Sequence, residues 1–418
     1  MVLRDMPELS EPLPLQDLDG LLQQSLKDVT DVQVKSWKHL TDPGENFGSL
    51  ILSIEASVKR ESGEHETLHL VCKMPPKSEY LLDLFNSPLA FKKELYFYKT
   101  IAPAFLELQK KSGLGDNELI KLFPHLYGGR MNITNEGEKF DEQAAIVLEN
   151  LNFSGYSTKD RITGMDLEHM QYGVRELAKL HAITCGYRAK YPKEFQETIA
   201  PGLEACHNEV AMNCVMEMIH KAINNLKRLE PDTKLIDRVL KTMELCERHE
   251  KEPKAVLEHW CTFVHADFWV NNMMYRYDNE KKITGMKIVD FQLSQNDYGM
   301  KDLVFFLISS AQEEVIDNNL NDLINLYYET FIDTLRALKV DTTLYQREEF
   351  DRLLIESAPL KFPQCIMMVQ VIKATRGSAP DVNSITNGEA FLNIGKGQLY
   401  EKKLLHVLHT YDKMNWLA

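Results

Sequence analysis

The spacing of apolar residues changes period along the chain, and the changes divide it. After "TDPGENFGS", the run "LILSIEASVKR" alternates, with Leu50, Leu52, Ile54, Ala56 and Val58 on one side. Period two predicts a half-buried strand. "ESGEHE" is a turn and "TLHLVCK" the returning strand, which sets Thr67, His69, Val71 and Lys73 on one face and Leu68, Leu70 and Cys72 on the other. "NSPLAFKKELYFYKTIAPAF" then takes a helical period: Phe91, Leu95, Tyr98 and Ala102 form its apolar stripe, with Glu94 at the border. Ser87 is its expected N-cap, and Pro88 sits in the first turn, where proline is tolerated. "AAIVLENL" reads as a buried strand that runs into a connector rich in Asn, Ser and Gly.

Beyond the connector the pattern is mainly helical. Thr163 and Asp166 predict a capping box for "DLEHMQYGVRELAKLHAI", and further helices are expected over about 203–250, 311–338, 347–375 and 398–411. A short β-rich insert beginning at Phe263, "FVHADFWVNNMMYRYDNEKKITGMKIVDFQLSQ", interrupts them. The expected fold class is α+β in two domains: residues 1–150, β-rich with one prominent helix, and residues 151–418, α-rich, with the boundary near Asn150–Ser154.

Composition narrows the function classes. A chain of 418 residues with 44% apolar content can bury a sizeable core. Its formal net charge of −14 argues against a broad nucleic-acid surface, which needs concentrated positive charge. The N-terminal "MVLRDMPELSEPLPLQ" has no apolar h-region, and no run approaches the roughly 20 residues that span a bilayer, so neither export nor a membrane is expected. The strongest apolar run, "LVFFLI" at Leu303–Ile308, is a core segment. Seven scattered cysteines without a C-x-x-C pair predict reduced thiols and a cytoplasmic protein.

The insert carries the candidate chemistry. "HADFWVNN" places His265, Asp267 and Asn272 at the spacing H-x-D-x₄-N. In the protein-kinase catalytic loop that Asp accepts the proton of the attacking hydroxyl, and the Asn binds a metal. A loop of this length lets both side chains face one cavity. "ITGMKIV" then delivers Asp290, in "VDFQ", at a strand end. Asn272 and Asp290 offer hard oxygen ligands of the kind Mg²⁺ takes on the phosphates of ATP. Upstream, Lys73 is placed to neutralise the α/β-phosphates and Glu94 to fix it by pairing. Gly48, in the turn Gly44–Ser49, suits a phosphate-covering loop, and Glu149 and Leu151, in "VLENL", suit a hinge that meets adenine. His265 and Asp302 are expected to support the catalytic loop. For Asp302, an anchor of the loop after Asp290 is favoured over a third carboxylate near the metal. Each feature has a bland reading: Lys73 and Glu94 as solvated charges, the glycines as a turn, Trp269 and Met273–Met274 as core packing. The weight lies in their order, each on the element its role requires.

These residues resemble the choline/aminoglycoside kinase-like superfamily and, more narrowly, the insect ecdysteroid kinase-like (CHK kinase-like) family. The segments that carry the resemblance are "FKKELYFY", "VLENL", "ELAKLHA", "HADFWVNNMMYRYD", "KIVDFQLSQ" and "DLVFFL", between about Gly44 and Leu307. Trp269 and the Gln of "DFQ" differ from protein-kinase forms, and no A-P-E segment follows Asp290. The resemblance implies a two-lobed protein-kinase-like fold, with a β-rich N-lobe and an α-rich C-lobe. It further implies ATP- and Mg²⁺-dependent phosphorylation of a small-molecule hydroxyl, on an ecdysteroid or another lipophilic or xenobiotic alcohol. Asp267 would be the catalytic base, Asn272 and Asp290 the Mg²⁺ ligands, and Lys73 with Glu94 the phosphate-positioning pair. No nucleic acid, membrane or obligate protein partner is expected. The alternatives are a kinase for a cationic acceptor such as choline, and a pseudokinase-like protein that binds without turnover. The Met-rich "EVAMNCVMEMIH" and "FPQCIMMVQV" suit an apolar acceptor, although any single Met is more often helix packing. The family usually reads His-Gly-Asp, and here Ala266 replaces the Gly. If the position needs φ > 0, the loop carries strain of about 1 kcal/mol. Protein kinases place Arg there and choline kinases Asn, so a tolerated variation is expected.

Overall fold

The computed structural model describes residues 11–40, 48–134, 137, 139–205, 208–253, 255–375, 385 and 394–418. Most of the expected glycine turn, including Gly44, lies outside the described residues; Gly48 and Ser49 lie inside.

The N-terminal region is an antiparallel sheet of β1 (Val29–His39), β2 (Leu50–Arg60), β3 (His65–Met74), β4 (Leu126–Arg130) and β5 (Ala145–Glu149), in the order β1-β2-β3-β5-β4. The alternation of β2 and β3 is borne out: Leu52, Ile54, Ala56, Val58, Leu68, Leu70 and Cys72 share one core with Leu15, Leu18, Leu21 and Leu22 of the N-terminal segment. Three of those leucines ride on a short helix, α1 (Leu18–Leu22). Strand β4 reads "LYGGR" because elements crowd it from two sides. A Cβ on Gly128 would lie 2.0 Å from the Leu21 carbonyl oxygen, and one on Gly129 would lie 2.4 Å from Leu95 Cδ1.

Helices α2 (Glu79–Leu84), α3 (Ser87–Tyr96) and α4 (Ala102–Ser112) follow β3, with one π turn, Phe97–Ile101, between the last two. The expected cap of α3 moves by one residue. Asn86, at φ 43, takes the cap position, and Ser87 is already helical and buried. Left-handed backbone suits Asn better than Ser.

After Glu149 the chain crosses to β6 (Tyr156–Ser157), which pairs with a strand of the insert. Helix α5 (Leu167–Lys190) is capped by Asp166, whose carboxylate accepts from the His169 N–H, so Asp166 is the cap itself rather than the third residue of a box. After α6 (Pro192–Glu194), the expected helix over 203–250 is two, α7 (Glu209–Leu229) and α8 (Thr233–Lys251). They part at "EPD", where Pro231 cannot continue α7 and Asp232 caps α8. The insert forms β7 (Cys261–Val264), β8 (Met273–Tyr277), β9 (Ile283–Ile288) and β10 (Gln295–Tyr298); β8 pairs with β9, and β7 with β10. Helices α9 (Met300–Ser310), α10 (Glu313–Ala337), α11 (Arg347–Ile372) and Gln398–Lys413 complete the chain. The α+β expectation holds: a sheet-bearing N-terminal region and a helical C-terminal region.

The two regions also meet away from the connector. Leu81 and Leu84 of α2 pack with Cys214 and Met218 of α7, and with Ala374, Ile385 and Ile394. Ser78 Oγ donates to the Ile385 carbonyl at 2.6 Å. Among the described residues no helix is long and apolar enough to cross a membrane. None of the six described cysteines is in a disulfide.

Candidate active site

Lys73 sits near the end of β3, buried, opposite Ile51 and Ile146 in the sheet. Its Nζ lies 2.6 Å from Glu94 Oε2 and 2.8 Å from Asp290 Oδ1. Glu94 is therefore not a solvated charge; it is 1% exposed, on the face of α3 that meets the sheet. Burial alone would lower the Lys73 ammonium, but Asp290 and then Glu94 outweigh it and hold the group above its ordinary value. Burial, opposed by Lys73, pushes Glu94 upward.

Asp290 follows β9 at φ 70. The turn is held by Phe291, whose ring stacks on Phe97 with centroids 3.7 Å apart and meets Phe123 at 5.2 Å and His265 at 5.1 Å. That aromatic cluster ties the π turn, the insert and the His265 loop into one block. Gln292 Nε2 reaches Asp290 Oδ2 at 3.4 Å. It also faces Gly48, whose added Cβ would lie 3.8 Å from that amide and 3.6 Å from the Phe85 ring.

The loop from His265 to Asn272 turns back on itself as its spacing predicts. Asn272 Nδ2 donates to the Asp267 carbonyl and to Asp267 Oδ2, each at 2.9 Å. The Asn272 carbonyl accepts from the Val289 N–H at 3.1 Å, which sets it beside Asp290. Asp267 is itself only half-buried. Burial and then the charge of Asp290 push its carboxyl up to about 8, against hydrogen bonds from Asn272 and Trp269. Trp269 and Met273 are core residues.

His265 is fully buried, and burial lowers its pKa. Its Nδ1 accepts from the Asp267 N–H at 3.3 Å, so the neutral ring carries its proton on Nε2, 3.0 Å from the Val289 carbonyl. Asp302, in the first turn of α9, accepts from the His265 N–H at 2.6 Å and the Ala266 N–H at 3.0 Å. It thus anchors the loop that carries Asp267, not the loop after Asp290. Burial alone would raise Asp302; His181, with Nε2 at 3.5 Å, and His265 hold it below the usual range. Ala266 does take the left-handed conformation, φ 66. Its carbonyl accepts from Gln364 Nε2 of α11 at 2.8 Å. Neither Gln364 nor His181 was visible as a site residue, because nothing in their local sequence marks a contact so distant along the chain.

In the connector, Glu149 pairs with Leu70, and its carboxylate accepts from Ser154 Oγ at 2.6 Å. Leu151 is buried, and among the described residues its N–H has no backbone acceptor. Among the described residues no group of three or more His, Cys, Asp or Glu side chains converges to hold a metal. An Asp-plus-Asn oxygen set still fits Mg²⁺, which takes one or two protein ligands and completes its shell with phosphate and water.

The solved structures to which the chain is similar include Plasmodium vivax ethanolamine kinase, at 12% identity over 92% of this chain and 84% of that one, with a TM-score of 0.41. A spectinomycin phosphotransferase solved with ADP and spectinomycin is similar at 11% identity, 95% and 99% coverage and a TM-score of 0.41. An amicoumacin kinase solved with AMP-PNP and Ca²⁺ is similar at 13% identity, 94% and 93% coverage and a TM-score of 0.40. At such identities and scores, the ligands of those proteins say nothing of this chain's acceptor. No curated protein matches the chain. The model of the ecdysteroid kinase-like family matches residues 43–340, from the glycine turn through α10, and the chain belongs to that family and is a kinase acting on small-molecule hydroxyl acceptors.

Proposed function

We propose that the protein transfers the γ-phosphate of ATP to a hydroxyl of an ecdysteroid or another lipophilic alcohol, in the cleft between lobes divided near Asn150. The observation that carries this is the Lys73 ammonium, held at once by Glu94 of α3 and by Asp290, 217 residues along the chain. That contact joins the sheet's cation to the oxygen ligands of the insert, the junction that phosphoryl transfer requires.

Lys73, oriented by Glu94, neutralises the α/β-phosphates. Asn272 and Asp290 would hold Mg²⁺, which when bound offsets charge on the phosphates. The Leu151 N–H and the backbone at Glu149 would meet adenine, and Gly48 would cover the phosphates. Asp267 accepts the proton of the acceptor hydroxyl as it attacks. Phosphoryl transfer asks mainly for alignment and charge neutralisation, so the firm hold of Asp302 and His265 on the loop matters more than any covalent help. The apolar cluster of α2, α7 and the end of α11 includes Cys214 and Met218, with Met367 and Phe85 packed against it. The family match supports an ecdysteroid or another lipophilic alcohol over a cationic acceptor, which asks for an aromatic cage. The six described cysteines, none of them in a disulfide, support a cytosolic setting.

The test is a thermal melt with and without Mg²⁺·ATP, followed by transfer assays with ecdysone and with choline. Wild type should gain stability of about 2.7 kcal/mol at 100 Kd. The gain should vanish with EDTA, in Lys73→Ala and in Asp290→Ala. No gain at millimolar ATP would sink the reading. Turnover of choline but not ecdysone would retain the kinase and change its acceptor class.

A further inference from the structure

Gln364 belongs to none of the segments that carry the candidate catalytic, metal and nucleotide residues, yet it touches the loop beside Asp267. Its Nε2 donates to the Ala266 carbonyl at 2.8 Å, and its Oε1 accepts from Lys361 Nζ at 2.7 Å. The lysine settles which end of the amide faces the loop. An ammonium only donates, so the amide oxygen turns to Lys361 and the NH₂ to the carbonyl.

The peptide between Ala266 and Asp267 is thereby held at both ends. Its carbonyl is bound by Gln364, and its N–H, that of Asp267, by His265 Nδ1 at 3.3 Å. The Ala266 N–H is fixed separately by Asp302. Such anchorage is needed because Ala266 stands at φ 66, where an alanine relaxes out if released. Rotation of this peptide would re-aim the Asp267 side chain, whose Cα it carries. The chain supports Gln364 locally as well. Pro363 fixes the backbone angle just before it, and the Pro359 carbonyl that Pro363 cannot bond accepts from Cys246 Sγ at 3.4 Å.

We propose that Gln364 is a positioning residue for phosphoryl transfer, aiming the Asp267 carboxylate through the Ala266 carbonyl while Lys361 sets its amide. The inference rests on the reading that Asp267 faces the acceptor hydroxyl. Full-length wild type, Gln364→Glu, Gln364→Leu and Asp267→Asn are compared by ADP formation from Mg²⁺·ATP, with water and with ecdysone as acceptors, and by thermal melts with Mg²⁺·ATP. Gln364→Glu keeps the shape and the Lys361 contact but lacks the donor. It should lower kcat about tenfold with the KM for ATP within about twofold, since misalignment costs rate and not nucleotide binding. Gln364→Leu should match it. If Leu at this site does not melt cooperatively, the Glu variant carries the test alone. A Gln364→Glu enzyme with wild-type kcat, beside an inactive Asp267→Asn, overturns the inference and leaves the reading of Asp267 standing. A loss that falls on the KM for ATP rather than on kcat also overturns it. Turnover in Asp267→Asn equal to wild type removes the reading itself.

Discussion

Two residues define the cost of assembling the site. Lys73 is the cation between two carboxylates, and Glu94 has almost no access to water. Lys73→Met would leave Glu94 buried beside Asp290 with no counter-charge. The variant should lose about 3 kcal/mol of unfolding free energy in a urea titration. Glu94→Gln should lose less, because the amide oxygen still accepts from Lys73 and Asp290 still balances the charge. Ala266 is the opposite case, a residue kept at a conformation it disfavours, φ 66. Ala266→Gly should raise stability by about 0.5 kcal/mol, the strain relieved less the backbone entropy of glycine. The urea midpoint at constant slope reads it directly.

At the scale of elements, close approach and burial set the sensitivities. Helix α1 crosses β4 at Gly128, where a Cβ would sit 2.0 Å from the Leu21 carbonyl oxygen. Gly128→Ala must push the helix off the sheet and should cost about 2–3 kcal/mol by urea denaturation. The C-terminal helix Gln398–Lys413 brings Lys403 into the core beside α10, 2% exposed, with its Nζ 3.4 Å from the Ala311 carbonyl. Burial and then the nearby Lys373 lower its pKa to about 8. The folded value thus lies below the unfolded one near 10.5. Below about 8 both states hold the proton and the penalty of burying the charge is complete; between about 8 and 10.5 only the unfolded chain holds it, so stability rises with pH. Lys403→Met should therefore be more stable than wild type at pH 7, and the gap should close as the pH is raised towards 10.5. A gap that is constant with pH would show that Lys403 does not lose its proton in the folded protein.

For the whole molecule, the joint between the two regions outside the connector is the cluster of α2, α7 and the end of α11. Leu81 is fully buried in it, so Leu81→Ala should cost about 2–4 kcal/mol, read as a lower urea midpoint. Much of this organisation was legible in the chain, and the part that was not has a common cause. Period two marked β2 and β3, and helical period marked α3, α5, α10 and α11, while α9 was legible only as an apolar core segment. Strand β1 escaped notice because a register shift between Val34 and Ser36 breaks its alternation, and β4 because two of its five residues are glycine. By itself the sequence determined the placements that depend on spacing within one element: Asp267 and Asn272 five residues apart on a loop, a lysine on a strand face, an Asp-Phe at a strand end. Such spacings translate directly into side-chain direction, because the geometry of a strand, helix or tight loop is local. Only the tertiary structure decided that Lys73 meets Asp290, that Asp302 holds the loop before rather than after Asp290, and that Gln364 grips Ala266 across 98 residues. Those contacts follow from how whole faces pack against one another, and the period of a single element carries no record of which face it will meet.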